Sequence, residues 1–132
     1  MGSGTNLGQV RGLGSAKTGT HHWMMQRVTA IANLTLLTWL VVSLVTNDFS
    51  AYDSLQRWLA SPFAAAPLAL LIVSVFTHLR LGLTVLIEDY LHNEATKLLA
   101  LVALTFFSWG GMIFALFSIL KVVFGAVANV QQ

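Results

Sequence analysis

Residues 61–92 read SPFAAAPLALLIVSVFTHLRLGLTVLIEDYLH, and this stretch decides the fold. Its apolar part, 64–87, exceeds the ~20 residues that a helix needs to cross ~30 Å of hydrocarbon. Two ionisable side chains, His78 and Arg80, lie inside it. A central arginine costs on the order of 2.5–3.5 kcal/mol on insertion scales, so ionisable groups at this depth usually have partners. For an imidazole the natural partner is a metal or a cofactor.

The rest of the chain extends this pattern. It has 132 residues, 56% hydrophobic and 9% charged, with no cysteine, where a soluble domain carries about 25% charged residues. The deficit falls in three apolar runs, 28–45, 64–87 and 97–124. Lipid offers no partner to open backbone groups, so each run is expected to cross as a helix. The fold class is therefore an all-α membrane protein with spans at about 28–46, 64–87 and 97–124. These form a single three-helix transmembrane domain, 21–132. Residues 1–20 are rich in Gly, Ser and Thr and lack an apolar core, which predicts a flexible tail and not a signal peptide.

Three helices enclose little interior, so association with other chains is expected. Without cysteine the chain holds no thiolate-bound iron–sulfur cluster, thiol nucleophile or disulfide. A net charge of +2 with no basic cluster gives no sign of nucleic-acid binding.

The first helix is expected to begin near Thr20, because His21–Arg27 mixes aromatic, Met and basic side chains, and Trp23 and Arg27 suit a membrane interface. Ser50-Ala-Tyr-Asp53 has the form of a capping box, and Tyr52, Leu55 and Leu59 follow at helical spacing. A short interfacial helix is expected there. Ser61-Pro62 reads as the start of span two, with Pro67 in or just past its first turn. Glu88, Asp89, Asn93 and Glu94 mark the turn to span three. That span carries Ser108, Gly110, Gly111 and Ser118, small residues that permit close helix approach. Arg11, Lys17, Arg27 and Lys97 fall on one side of the membrane, Arg57 and Lys121 on the other. The positive-inside rule places the amino terminus and the 88–97 turn in the cytoplasm, or in the matrix of a mitochondrion.

At roughly 100° per residue, Ser74, Gly82, Val85 and Asp89 lie within about 40° of His78 on span two. Gly82, one turn on, leaves room beside the backbone for a flat macrocycle. Haem iron accepts imidazole nitrogen. The residues alone also admit a plainer reading, in which His78 makes an interhelical hydrogen bond and Gly82 a packing contact.

The pattern His78-x-x-x-Gly82-x-x-x-x-x-x-Asp89-Tyr90, preceded by Gln26-Arg27-Val-Thr29-Ala30-Ile31, resembles the small hydrophobic anchor subunit of succinate dehydrogenase. With Ile87-Glu88-Asp89-Tyr90 and His92 it is most similar to alphaproteobacterial and mitochondrial-type forms. The resemblance covers roughly residues 21–125. It implies that His78 is one axial ligand of haem b; Ser74 and Gly82, on the same helical face, are then expected to pack against the haem. It implies that Arg27 and His21 lie near the haem propionates, a place the adjoining His22 can also take. Tyr90 would hydrogen-bond a carbonyl of ubiquinone, with Asp89 beside it. A second anchor subunit (a cytochrome b) would supply the other axial histidine, making the bundle heterodimeric. Flavin and iron–sulfur clusters would belong to a flavoprotein and an iron–sulfur subunit. The implied location is the bacterial inner membrane, or the mitochondrial equivalent.

Spacing agrees with a ligand from elsewhere. His92 lies fourteen residues past His78, ~21 Å along a continuous helix, and His21 and His22 sit near the boundary. Tyr90 is ~18 Å from His78, at the cytoplasmic interface. Alone, it reads as an aromatic-belt residue. Arg27 also suits lipid phosphate. Arg80 points away from His78 and is expected to pack against a partner helix or an acidic group. Two rivals stand beside this reading: a small transporter or channel subunit with a polar path of His78, Arg80 and Asp89, and an anchor without haem.

Overall fold

The computed structural model describes residues 19–130, with side chains described as far as Gly125. The tail read at 1–20 lies outside the described residues except for Gly19 and Thr20, as do Arg11 and Lys17. Four helices follow in order: α1 (Gly19–Thr46), α2 (Tyr52–Ala60), α3 (Pro62–Tyr90) and α4 (Glu94–Val130). Helices α1, α3 and α4 are each long and apolar enough to cross a bilayer. Helix α1 begins well before its apolar run, and α3 and α4 extend past theirs at both ends.

Local chemistry sets the boundaries. Ser61 is extended and caps α3, with Pro62 in the first turn, where its missing N–H costs nothing. Pro67 lies inside the helix and removes the bond that its N–H would give Phe63. Asn93 caps α4, its Oδ1 accepting from the N–H groups of Ala95 and Thr96 at 3.0 and 3.2 Å. Lys97 Nζ donates to the Glu88 carbonyl at 3.3 Å and ties α4 to the end of α3.

The capping box expected at Ser50–Asp53 does not form. The cap of α2 is Ala51, with no side-chain bond. Ser50 instead donates its N–H to Asp48 Oδ1 at 2.9 Å, and Ser54 Oγ donates to the Ala51 carbonyl at 2.7 Å. The Asp48 turn takes Ser50 out of capping register and holds the Asp48 carboxyl below its usual pKa. The helix itself is present as expected. Its Trp58 stacks on Trp39 of α1 at 6.1 Å and meets the edge of Phe49 at 5.3 Å.

Helix α3 is the middle of the bundle. Both α1 and α4 pack on it, and no described Cα of α1 lies within 8 Å of one in α4. The interior is correspondingly small: the buried apolar residues are Ala64, Leu71 and Leu104, and the buried polar ones Thr29, Ser74 and Ser108. Large apolar side chains face outward along every span, among them Val45, Phe63 and Phe106. Such faces suit lipid tails or partner helices.

Candidate functional site

Two opposite faces of α3 meet its two neighbours. Phe76 and Arg80 lie about 200° from His78, on the side of α4. There Phe76 occupies the space above Gly111: a Cβ on that glycine would lie 2.6 Å from the Phe76 ring. Leu104 and Ser108 bury on the same stripe of α4. Ser108 Oγ has no hydrogen-bond partner among the described residues. Arg80 lays its guanidinium over the Trp109 ring at 5.9 Å, so its charge meets an aromatic face of the neighbouring helix. A cavity of about 180 Å³ runs beside this contact, lined by Arg80, Trp109, Ser108, Met25, His21 and His22 among others.

The α1 side carries the stripe read from the sequence. Thr29 and Ser74 are both buried where the helices cross. Ser74 Oγ donates to the Thr29 carbonyl at 3.2 Å, and His78 Nδ1 lies 3.0 Å from Thr29 Oγ1. One turn on, a Cβ at Gly82 would meet, among the described residues, only Gln26 Nε2, at 3.9 Å. Antiparallel packing explains the register: as α3 ascends through Ser74, His78 and Gly82, α1 descends through Thr29 and Gln26. The plain interhelical contact and the ligand role are compatible here, because the contact uses Nδ1. The other nitrogen, Nε2, makes no hydrogen bond among the described residues.

Past Gly82 the seam opens into a groove of about 570 Å³ lined by Gly19, His21, His22, Trp23, Gln26, Thr84, Val85 and Glu88. His21 and His22 both reach it, so the structure does not separate them. Arg27 is exposed and does not line the groove; its guanidinium lies 5.5 Å from the ring centre of Trp23, which does. Asp89 and Tyr90 lie at the end of α3, exposed; neither lines this groove. His92 Nδ1 lies 3.1 Å from the Tyr90 carbonyl.

The candidates thus fall into three groups: Ser74, His78 and Gly82 on the α1 seam; His21 at the groove, with Arg27 outside it against Trp23; Asp89 and Tyr90 on the outer end. Three partners were missed in the sequence. Thr29 was visible in the Gln26–Ile31 motif, but its contact is set by the crossing point. Glu88 read only as a turn residue. Asn33, one turn beyond Thr29, buries Oδ1 without a partner among the described residues and gave no signal. No three His, Asp or Glu side chains come together to hold a metal ion among the described residues.

Fold and site together define a three-span integral-membrane protein whose central helix carries a histidine, His78, at its contact with the first span. The chain matches the family model for the succinate dehydrogenase/fumarate reductase transmembrane subunit over residues 1–125, and it belongs to that family. It is 35% identical over 99 residues to the succinate dehydrogenase hydrophobic membrane anchor subunit of Rickettsia conorii, covering 73% of this chain and 79% of the relative. The anchor subunit of Paracoccus denitrificans is 32% identical over 120 residues, 89% of this chain and 91% of the relative. That of Rickettsia bellii is 32% identical over 100 residues, 76% and 80% of the two chains. No solved structure matches.

Proposed function

We propose that this chain is the membrane anchor subunit of a succinate dehydrogenase, supplying one axial ligand, His78, to a haem b shared with a second anchor subunit. One observation carries the reading. His78 is held through Nδ1 by Thr29, has no hydrogen bond on Nε2 among the described residues, and has the side-chain-free Gly82 one turn away. A six-coordinate haem needs two such donors, and one here agrees with a second from a partner. When bound, the haem supplies a one-electron carrier within the bilayer.

The remaining roles follow from placement. The His21–His22 pair lines the groove at the cytoplasmic end of the α1–α3 seam, and Arg27 lies against Trp23, which lines it too; these cationic and donor groups suit the propionates. Tyr90 and Asp89 stand together where a ubiquinone headgroup would meet the iron–sulfur subunit that delivers electrons. The Tyr90 phenol donates a hydrogen bond to a quinone carbonyl, and Asp89 is placed to pass protons. Reduction of the quinone to quinol takes two electrons and two protons. Succinate oxidation, the flavin and the iron–sulfur clusters belong to the flavoprotein and iron–sulfur subunits. The amino terminus and the α3–α4 turn face the cytoplasm of a bacterial inner membrane, or the matrix in a mitochondrion.

A transporter path through His78, Arg80 and Asp89 lacks continuity. His78 meets α1 and Arg80 meets α4, on opposite sides of α3. The deciding experiment is the reduced-minus-oxidised spectrum of the purified complex, with and without His78→Ala. Loss of the b-type signal in the variant is the expected result. An unchanged signal removes His78 as ligand, and no signal in the parent favours the haem-free anchor.

A further inference from the structure

We infer that Thr29 is a positioning residue that fixes the tautomer and ring orientation of His78, so that Nε2 is the nitrogen presented to the metal. The inference rests on the haem reading above and adds a role for a residue of the Gln26–Ile31 motif to which none has been assigned.

The hydroxyl of Thr29 has one proton and three oxygen or nitrogen neighbours. It lies 2.8 Å from the Met25 carbonyl, 3.1 Å from the Gln26 carbonyl and 3.0 Å from His78 Nδ1. The two carbonyls are pure acceptors, so they draw the hydroxyl proton towards the backbone of α1. The oxygen lone pairs are then left facing Nδ1. If Nδ1 carries the imidazole proton, both hydrogen bonds form at once: the hydroxyl to its carbonyl, and Nδ1–H to the hydroxyl. If Nε2 carried it, the hydroxyl would have to choose between the carbonyl and Nδ1, and one bond would be lost. Only the Nδ1–H form keeps both bonds of this part-buried contact. The arrangement therefore selects the Nδ1–H tautomer and leaves the Nε2 lone pair free.

Ser74 completes the clamp. It donates to the Thr29 carbonyl from one turn before His78, so α3 grips the same residue of α1 at two points. Thr29 is buried, and its side chain has no freedom to follow a displaced ring. Outer partners of metal-bound histidines act in this way generally, raising ligand basicity and holding the ring, and their loss typically costs 10–100-fold in metal affinity.

The test uses the intact purified complex and compares Thr29→Val, Thr29→Ala and Thr29→Ser with the parent and with His78→Ala. The readouts are haem retained per complex on dilution, haem midpoint potential and the low-spin electron paramagnetic resonance spectrum. The two hydroxyl-free variants should lose haem 10–100-fold more readily, raise the midpoint potential because the imidazole is a weaker donor, and alter the low-spin spectrum. Thr29→Ser should restore all three towards the parent. If Thr29→Val and Thr29→Ala hold haem with unchanged potential and spectrum, the inference falls. It falls too if both fail to assemble while Thr29→Ser assembles, since the hydroxyl then serves helix docking. A b-type signal that survives His78→Ala defeats the haem reading itself, whatever Thr29 does. Loss in His78→Ala with no change in the Thr29 variants defeats only the positioning role.

Discussion

On its α1 side, α3 meets Thr29 through Ser74 and His78; on its α4 side Phe76 meets Gly111 and Arg80 meets Trp109. The first seam is joined by two hydrogen-bonded contacts between helices at 3.0 and 3.2 Å. The second depends on a ring seated where a glycine has no side chain. In lipid, apolar surface alone gives helices little reason to associate, so each seam must use either close packing or hydrogen bonds. Helix α3 uses both, one on each side. The packed side fixes position by shape, and the bonded side leaves a chemically specific group, the imidazole, held but not consumed.

That contrast can be broken in order of expected effect. His78→Ala should abolish the b-type absorption of the complex, read by difference spectroscopy, while the Phe76–Gly111 packing persists. Gly111→Val should strike the other seam. A side chain there collides with the Phe76 ring, and overpacking of this kind costs about 1–3 kcal/mol, visible as a lower melting temperature of the detergent-solubilised complex. Adding Phe76→Ala should return part of that loss; a double variant no more stable than Gly111→Val would show that the collision is not the cause. Tyr90→Phe lies outside both seams. Losing one hydrogen bond to a quinone carbonyl should lower succinate–quinone turnover roughly ten-fold, with haem spectrum and melting temperature unchanged. Ser74→Ala should be mildest, near 0.6 kcal/mol, the average for a hydrogen bond between membrane helices. A much larger loss of stability would mean that the bond to the Thr29 carbonyl matters more than membrane helices generally allow.

Much of this molecule is legible in its residues because the bilayer admits so few solutions. Three apolar runs without a backbone escape had to be helices, and Ser61-Pro62 and the polar 88–94 turn marked where they stop. The stripe through Ser74, His78 and Gly82 followed from helical angle alone. What could not be read was the partner of each group on that stripe. Thr29 meets His78 only because α1 crosses α3 at that point, and nothing in either helix by itself states the crossing. The same holds for Arg80, whose need for a partner was clear but whose choice of Trp109 depended on the register of α4. The capping box failed for a local reason: Asp48, two residues upstream, competes for Ser50. Asn93 was counted as a turn residue although its capping role was visible from its place just ahead of Glu94 and the apolar run.

The turn between α3 and α4 is only Leu91–Asn93, further fastened by Lys97, whereas α1 is joined through a longer connection that contains α2. On a route in which spans enter the bilayer before they associate, α3 and α4 are suited to go in together as a hairpin, with α1 docking afterwards. His78 would then have no fixed orientation until α1 arrives. On the haem reading proposed above, His78 would be ready for its cofactor only once all three spans have been threaded.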